Sequence, residues 1–174
     1  RKKASTVMIV GASKMSYYLA DELLHMGMSV KIIEQNEARC TQISEQLPRA
    51  LVIQGDGTDS ELLAEEGIEQ TDAFVALTGI DEANILMAMC ASRQTEQCKV
   101  VAKINRRSLT ELVSSEGMID SVVSVRDVTT ELIVQYVRAM ESAAGSRIKT
   151  LHRLVGGAVE ALEFHVDKGV TLAN

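Results

Sequence analysis

The stretch VMIVGASKMSYYLADELL, residues 7–24, decides how the first part of the chain folds. Its opening residues, Val7–Val10, form an apolar run that predicts a buried strand, and Tyr17–Leu24 has the pattern of a helix. At this junction a fold that binds dinucleotides carries the motif G-x-G-x-x-G. The six positions here read Gly-Ala-Ser-Lys-Met-Ser, residues 11–16, so the first glycine is kept and the other two are serines. The loop therefore either binds a nucleotide in altered form or serves only as the turn between strand and helix.

Strand-like and helix-like segments alternate as far as residue 125. The predicted strands, rich in Val, Ile and Ala, are residues 7–11, 30–34, 50–56, 72–79, 99–104 and 120–125. The predicted helices are residues 16–25 and 37–47, a short helix that ends at Gly67, and residues 81–92 and 109–117. A Thr58–Glu61 capping box opens the short helix, and Asp81 caps the helix over residues 81–92. Strands that are apolar on both faces and alternate with helices are typical of parallel sheets. The sequence therefore predicts an α/β protein with a doubly wound, six-stranded, Rossmann-like parallel sheet.

The segment after the sixth strand differs from the earlier ones. Asp127 is placed to cap a further helix, whose wide apolar stripe consists of Val128, Leu132, Ile133, Tyr136, Val137 and Met140. Two interpretations stay open: this helix packs on its own sheet, or it crosses over to a second subunit. Beyond it a polar linker leads to the alternating run AVEALEFHV, residues 158–166, which predicts a strand. We therefore expect one domain over residues 1–143 and, over residues 144–174, a linker with the start of a truncated C-terminal subdomain.

Composition excludes several classes of protein. The net charge of −6 argues against a nucleic-acid partner, because phosphate backbones require a basic face. Cys40, Cys90 and Cys98 are odd in number and lack metal-ligand spacing, which favours a reducing cytoplasm over a disulfide scaffold. No apolar run approaches the roughly 20 residues of a membrane span, and no signal peptide is present. The chain begins Arg1-Lys2-Lys3 without a Met, so we expect a piece of a longer protein.

The glycine loop keeps part of what a nucleotide site needs. Gly11 supplies the tight turn, and Ser16 is small enough to let the helix pack close to the strand. Ser13 is the obstacle, because its Cβ lies where a pyrophosphate approaches most closely. The N–H groups at the start of the helix and the positive charge of Lys14 still favour an anion.

Polar residues also end the other predicted strands, at the edge where open α/β sheets bind ligands. Glu34 lies where an acidic side chain accepts hydrogen bonds from the adenosine ribose, which favours NAD(H) or an adenine nucleotide (ATP or ADP) over NADP(H). The predicted cofactor-binding residues are Gly11, Ala12, Ser13, Lys14, Met15, Glu34, Asp56, Gly57, Thr78, Lys103 and Arg106. We predict no catalytic residue and no metal ligand, because His25, His152 and His165 all fall away from this edge.

Several of these stretches carry a resemblance to a known family. Ile33-Glu34, the run Gly55–Asp59, the signature Asp72–Asn84 and the stretch Gly117–Val125 are similar to the regulator-of-potassium-conductance (RCK, or KTN) domain of TrkA-type potassium uptake regulators. The resemblance covers about residues 5–143. It implies a dimer whose last helix crosses between subunits, a ring of such domains beneath a membrane transporter, nucleotide binding without catalysis, and two such domains in tandem. The missing Met and the basic start of the chain favour the second of the two. The loop departs from the family pattern, which has two or three glycines there.

Three functions follow from these observations. The leading one is a regulatory cytoplasmic subunit, peripheral at the inner face of the membrane, that binds a nucleotide and controls potassium uptake through a membrane partner. The second is a scaffold of the same fold with a vestigial nucleotide site. The third, an NAD-dependent oxidoreductase, lacks a proton-transferring group at the strand ends and a substrate domain.

Overall fold

The computed structural model describes residues 4–95, 98–116, 119–142, 148–154 and 159–164. The chain divides into two compact units, Arg1–Val125 and Arg126–Asn174. The strands of the first unit are β1 (Thr6–Val10), β2 (Ser29–Glu34), β3 (Leu51–Gln54), β4 (Ala73–Ala76), β5 (Lys99–Lys103) and β6 (Ser121–Val123). Its helices are α1 (Lys14–His25), α2 (Glu37–Gln46), α3 (Ser60–Glu65), α4 (Asp81–Gln94) and α5 (Arg107–Glu116), with a 3-10 turn at Ile68–Gln70.

The six strands form one sheet in the order β3-β2-β1-β4-β5-β6, and all neighbouring pairs are parallel. The predicted doubly wound α/β sheet is therefore confirmed. β1 lies between β2 and β4, with Ile9 opposite Ile32 on one side and Val75 on the other. The strand order reverses between β1 and β4, and such a switch point is where open parallel sheets bind ligands at the carboxyl ends of their strands.

Helices cover both faces of the sheet. α1 and α2 pack on one face, in a buried cluster that includes Val7, Ile9, Ala20, Leu24, Val30, Ile32, Ile43 and Leu47. α3, α4 and α5 pack on the other, in a cluster that includes Met8, Leu63, Phe74, Met87, Ala88, Val100, Ala102 and Val113. The strands thus bury alternate side chains on opposite faces, which explains why their sequences are apolar throughout.

On the face of the sheet that α3, α4 and α5 cover, the predicted starts of two helices are wrong. The N-cap of α3 is Asp59, whose carboxylate accepts from the N–H of Glu61 at 2.9 Å. Thr58 instead donates its N–H and hydroxyl to Asp56, so the Thr58–Glu61 capping box does not form. Asp81 is the first residue of α4 rather than its cap, and its carboxylate accepts from backbone N–H groups after β5.

On the face of the sheet that α1 and α2 cover, one helix begins earlier than predicted and the other begins as predicted. α1 starts at Lys14 rather than residue 16, because Ser13 caps it and pairs reciprocally with Ser16. α2 starts at Glu37 as predicted and has Asn36 as its N-cap.

The second unit contains α6 (Val125–Ser142), which starts at the boundary, and a hairpin of β7 (Ile148–Leu154) and β8 (Val159–Phe164). Asp127 therefore lies inside the first turn of α6 and not before it. The segment predicted as a polar linker contains β7, which pairs antiparallel with β8. The boundary predicted at residue 143 stays a prediction. Among the described residues no helix is long and apolar enough to cross a bilayer.

Asp72 fastens the start of β1 to the start of β4. Its Oδ2 accepts from the N–H and hydroxyl of Ser5, at 2.8 and 2.9 Å, and from the N–H and hydroxyl of Thr6, both at 3.0 Å. The bonds from Ser5, followed by those from Thr6, hold the pKa of Asp72 well below its ordinary value. The folded chain therefore favours the ionised form of this carboxylate.

We expect Asp72→Asn to lower the melting temperature at pH 7, because the amide keeps one acceptor oxygen but loses the charge. A carboxylate with a depressed folded pKa contributes stability that is complete above its unfolded pKa and is lost as the pH falls below it. The melting-temperature difference between parent and variant should accordingly be constant near neutrality and shrink below about pH 4. Thermal unfolding followed by circular dichroism at several pH values measures it. Glu45→Gln, at an exposed carboxylate on α2, is the control; a difference that stays constant into acid contradicts the assignment.

Candidate functional site

A cleft of about 370 Å³ opens at the switch point between β1 and β4. It is bounded by the loops that follow β1, β2, β3 and β4. Its described lining includes Val10, Gly11, Ala12, Ser13, Ile33, Glu34, Gln35, Arg39, Gly55, Asp56, Gly57, Thr58, Leu77, Thr78, Gly79, Ile80, Ala83 and Met87. Most of the predicted cofactor-binding residues are thus brought together: Gly11, Ala12, Ser13, Glu34, Asp56, Gly57 and Thr78.

Gly11 allows the turn from β1 into the cleft. Its φ is +98°, a conformation that glycine adopts without the steric cost of a Cβ. A Cβ at this position would lie 3.2 Å from the backbone of both Leu77 and Thr78, at the end of β4. Its N–H donates to Ile33 O at 2.8 Å, which fixes the turn against β2 as well.

Ser13 and Ser16 form a closed hydrogen-bond cycle at the start of α1. The N–H of Ser16 donates to Ser13 Oγ at 3.2 Å, the N–H of Ser13 donates to Ser16 Oγ at 3.3 Å, and the two hydroxyls are 3.0 Å apart. Ser16 is completely buried. The serines that replace the second and third glycines of the motif therefore act as a capping pair, which satisfies N–H groups that would otherwise lack a partner.

Glu34 lies at the end of β2, 8% exposed, with its carboxylate directed to two backbone N–H groups. Oε2 accepts from Ala12 at 2.7 Å, and Oε1 accepts from Asn36 at 2.8 Å. The side chain therefore connects the loop after β1 with the start of α2. Each carboxylate oxygen has a second lone pair, so it can still accept a hydrogen bond from a ribose hydroxyl in the cleft.

The loop after β3 lines the cleft next to Glu34, whose carbonyl oxygen accepts from the N–H of Gly55 at 2.9 Å. Asp56 accepts from the N–H and hydroxyl of Thr58, at 2.9 and 2.7 Å, and these bonds lower the pKa of its carboxyl. A Cβ on Gly57 would lie 2.2 Å from a methyl carbon of Val10 and 3.1 Å from the sulfur of Met87. Glycine at this position lets the loop pack directly on the buried strand and keeps the cleft open.

Thr78 lines the cleft, but its polar groups are directed to Asn84. Its N–H and hydroxyl donate to Asn84 Oδ1 at 2.9 and 2.7 Å, while Asn84 Nδ2 donates to Thr78 O at 3.2 Å and Lys103 O at 2.9 Å. Asn84 is completely buried. It therefore joins the ends of β4 and β5 through hydrogen bonds that are shielded from solvent.

Asp81 makes a second connection between the same two loops. It is 7% exposed, and its Oδ2 accepts from the N–H groups of Asn105 and Arg106, at 3.0 and 2.9 Å. Thr78, Asp81 and Asn84, which all belong to the predicted signature, therefore hold together the loops after β4 and β5 that form the rim of the cleft. Asp81 and Asn84 were not predicted as site residues, and only their repeated polarity on an otherwise apolar helix face indicated such a role.

Four predicted cofactor-binding residues lie outside the described lining of the cleft. Lys14 lines a neighbouring groove between α1 and α2, and Met15 packs against the cluster beneath α1 and α2. Lys103 ends β5, beyond the rim. Arg106 forms ion pairs with Glu82 and with Asp81, at 3.7 Å to the latter, and the bond to Glu82 raises the pKa of its guanidinium.

Arg39 lines both the cleft and the neighbouring groove, and the sequence interpretation missed it. It lies three residues after the N-cap Asn36, whose Oδ1 accepts from its N–H at 3.0 Å. Within the described lining of the cleft, Arg39 is the cationic side chain, and Glu34 and Asp56 are the carboxylates. The signal that could have identified Arg39 is its position in the first turn of the predicted helix over residues 37–47, shortly after Glu34.

The donors and acceptors of the cleft fit the adenosine part of a nucleotide. Glu34 offers acceptors for ribose hydroxyls, and the accessible apolar residues of the lining, Ala12, Ile80 and Ala83, give a partly apolar surface for a base. Across the described residues no group of three His, Cys, Asp or Glu side chains is arranged to hold a metal ion.

We expect Asn84→Ala to lower the free energy of unfolding by about 2–4 kcal/mol, because it leaves the carbonyls of Thr78 and Lys103 buried without their donor. Urea unfolding at pH 7 measures the change. Asn36→Ala is the matched control, and loss of its exposed N-cap should cost only about 1 kcal/mol. Equal losses in the two variants would contradict the role assigned to Asn84.

Comparison with known proteins identifies relatives over most of the chain. A family model described as the TrkA-N domain matches residues 7–125. The Trk system potassium uptake protein TrkA of Halomonas elongata is 40% identical over 157 residues, which covers 90% of this chain and 32% of that protein. The protein of the same name from Vibrio alginolyticus is 39% identical over 157 residues, with 90% and 32% covered. The chain thus spans about a third of the length of the curated relatives it matches.

Solved structures with low sequence identity share the fold. The TrkA-N domain of inner membrane protein ybaL from Escherichia coli has a TM-score of 0.68 and 12% identity, covering 78% of this chain and 98% of its own. The GsuK channel bound to NAD has a TM-score of 0.62 and 17% identity, covering 88% and 26%. The Shewanella denitrificans Kef C-terminal domain in an AMP-bound form has a TM-score of 0.63 and 18% identity, covering 77% and 80%.

Proposed function

The chain belongs to the TrkA-N domain family, and from this we propose that it is a regulatory domain that binds an adenine nucleotide and controls potassium uptake through a membrane partner. The observation that carries the proposal is the cleft at the switch point, where Glu34 is held by the N–H groups of Ala12 and Asn36. A preorganised carboxylate at this strand end supports the proposal, because the ribose of an adenine nucleotide binds at this position in sheets of this topology.

The ligand is an adenine nucleotide, for which we propose NAD(H), ATP or ADP. Structural neighbours are described as bound to NAD and to AMP, which supports this class of ligand. The Glu34 carboxylate disfavours the 2′-phosphate of NADP(H) through charge repulsion. Arg39 lines the same cleft and offers a planar cation for an adenine face or a phosphate.

Regulation rather than catalysis is the proposed role. The described lining of the cleft contains no histidine, and the side chains that end its strands are engaged in hydrogen bonds to the backbone. A nucleotide bound between the loops of β1, β2 and β3 changes the relative stability of two arrangements of the domain, and so shifts the equilibrium of an assembly that contains it. We propose that this assembly lies at the cytoplasmic face of the membrane, against a Trk-type transporter.

The ribose assignment predicts the effect of removing Glu34. We expect Glu34→Ala to weaken NADH and ADP binding about ten- to a hundredfold, because hydrogen bonds to a charged acceptor are worth roughly 1.5–3 kcal/mol. Isothermal titration calorimetry of the parent and the variant measures this, with NADPH expected to bind more weakly than NADH to the parent. Glu45→Ala, at an exposed position on α2, is the control and should leave both affinities unchanged.

A second variant separates binding from stability. Glu34→Gln keeps the size of the side chain and one acceptor oxygen, so its loss of affinity should be smaller than that of Glu34→Ala. Melting temperatures of both variants show whether the loop after β1 has been disturbed. Normal binding by Glu34→Ala would place the ribose elsewhere, and absence of binding by the parent would contradict the nucleotide-binding function.

The scaffold function remains the second candidate, because the Ser13–Ser16 cycle satisfies N–H groups that bind phosphate in an intact glycine loop. In that function the fold is kept for assembly alone.

Assembly is proposed to use α6. Its apolar side chains Val128, Leu132, Ile133, Tyr136 and Val137 are all exposed, with Leu132 at 60% and Tyr136 at 68%. A continuous apolar stripe of this size on one helix favours a partner surface. We propose a homodimer, or a larger ring of such domains, in which this stripe is covered by a second copy.

We expect the chain to be a dimer by light scattering at micromolar concentration, and Leu132→Glu to shift it to monomer, because the substitution places a charge in the centre of the stripe. Arg138→Glu, a charge change on the opposite side of the helix, is the control and should leave the dimer intact. A monomeric parent protein would contradict the assembly.

A further inference from the structure

The start of α1 has an unusual distribution of hydrogen-bond donors for a nucleotide-binding loop. The N–H groups of Ala12, Ser13 and Ser16 donate to side-chain oxygens of Glu34, Ser16 and Ser13, and that of Gly11 donates to Ile33 O. Among the described residues of this loop, Lys14 and Met15 have backbone N–H groups that donate to no acceptor of the protein.

A phosphate that bound to the N–H groups of Ala12, Ser13 or Ser16 would have to displace internal acceptors. Ser16 is completely buried, so breaking its contacts with Ser13 leaves a hydroxyl away from water without a partner. That loss offsets the new bonds to phosphate, because an unsatisfied buried polar group costs about as much as a hydrogen bond contributes. Similarly, Ala12 donates at 2.7 Å to a carboxylate, which is already an anionic acceptor.

The charge of the cleft points in the same direction. Its described lining carries the carboxylates of Glu34 and Asp56 and the guanidinium of Arg39, while Lys14 lies in the neighbouring groove. The two carboxylates outnumber the one guanidinium, so the charge of the lining does not favour the binding of each added phosphate. In contrast, Glu34 can still accept from ribose hydroxyls, and Ala12, Ile80 and Ala83 line the cleft as an apolar surface for a base.

We propose that this cleft recognises the adenosine part of its ligand and gives little weight to the phosphate chain, so that adenosine, AMP, ADP and NAD(H) bind with similar affinity. This inference rests on the proposed nucleotide-binding function and specifies it.

Titration calorimetry with adenosine, AMP and ADP as probes tests the inference on the chain as it stands. We expect the three dissociation constants to agree within about fivefold, because an anion at the exposed N–H groups of Lys14 and Met15 gains little in water. In Ser13→Gly/Ser16→Gly, which restores the glycine motif and frees two N–H groups, ADP should bind five- to thirtyfold more tightly relative to adenosine. Adenosine itself should bind this variant as it binds the parent.

Two further variants keep the test independent of the fold of the glycine double variant. Ser16→Ala removes the acceptor of the Ser13 N–H with a residue that fits the same buried space, and it should also increase the preference for ADP over adenosine. Ser44→Ala, an exposed serine on α2, is the control and should leave the ratio unchanged.

The outcomes separate this inference from the function on which it rests. If the parent protein binds ADP more than tenfold tighter than adenosine, the phosphate chain is recognised and the inference is overturned while nucleotide binding stands. If ADP gains nothing in either loop variant, the serine cycle is not the cause and the inference is also overturned. If no probe binds the parent, both the inference and the proposed function fail.

Discussion

The close approach of the loop after β1 to the end of β4 is the constraint on which the cleft depends. Gly11 fits between these strands at a φ of +98°, and a Cβ there would lie only 3.2 Å from the backbone of Leu77 and Thr78. Because β1 lies in the middle of the sheet, the chain must leave it between two neighbours and pass at once into α1. A larger residue would push the loop away from β4, and the cleft at the switch point would lose its shape.

The three motif positions therefore carry different demands. Glycine at position 11 is required by the fold, since its conformation and its neighbours are fixed by the sheet. Glycines at positions 13 and 16 are required by a phosphate ligand, and serines there meet a different need, the capping of α1. A helix N-terminus needs acceptors for its free N–H groups, and either a bound phosphate or a pair of hydroxyls supplies them. In this chain the second solution is built into the sequence, so α1 is complete before any ligand arrives.

The sequence predicted those features that depend on local pattern. Apolar runs identified all six strands of the sheet, and their alternation with helices predicted its topology. Local reasoning failed where a side chain has a distant partner: Asp81 resembles an N-cap, but it accepts from N–H groups 24 and 25 residues away. β7 was missed because its sequence, IKTLHRL, is as polar as a linker. In the site, the strand-end rule placed Glu34 and Asp56 correctly in one cleft, whereas the pairing of Arg106 with Glu82 cannot be seen without the fold.

The family signature concerns the frame of the cleft more than its ligand. Thr78, Asp81 and Asn84 are all used to join the loops after β4 and β5, through bonds that are internal to the protein. These bonds hold the rim of the cleft together without any ligand. In the loop after β1, Gly11 is the residue that the sheet constrains, through its positive φ and its close approach to the end of β4. Membership in the family therefore predicts the fold and the position of the cleft, while the serines at positions 13 and 16 complete the start of α1 with acceptors from the protein itself.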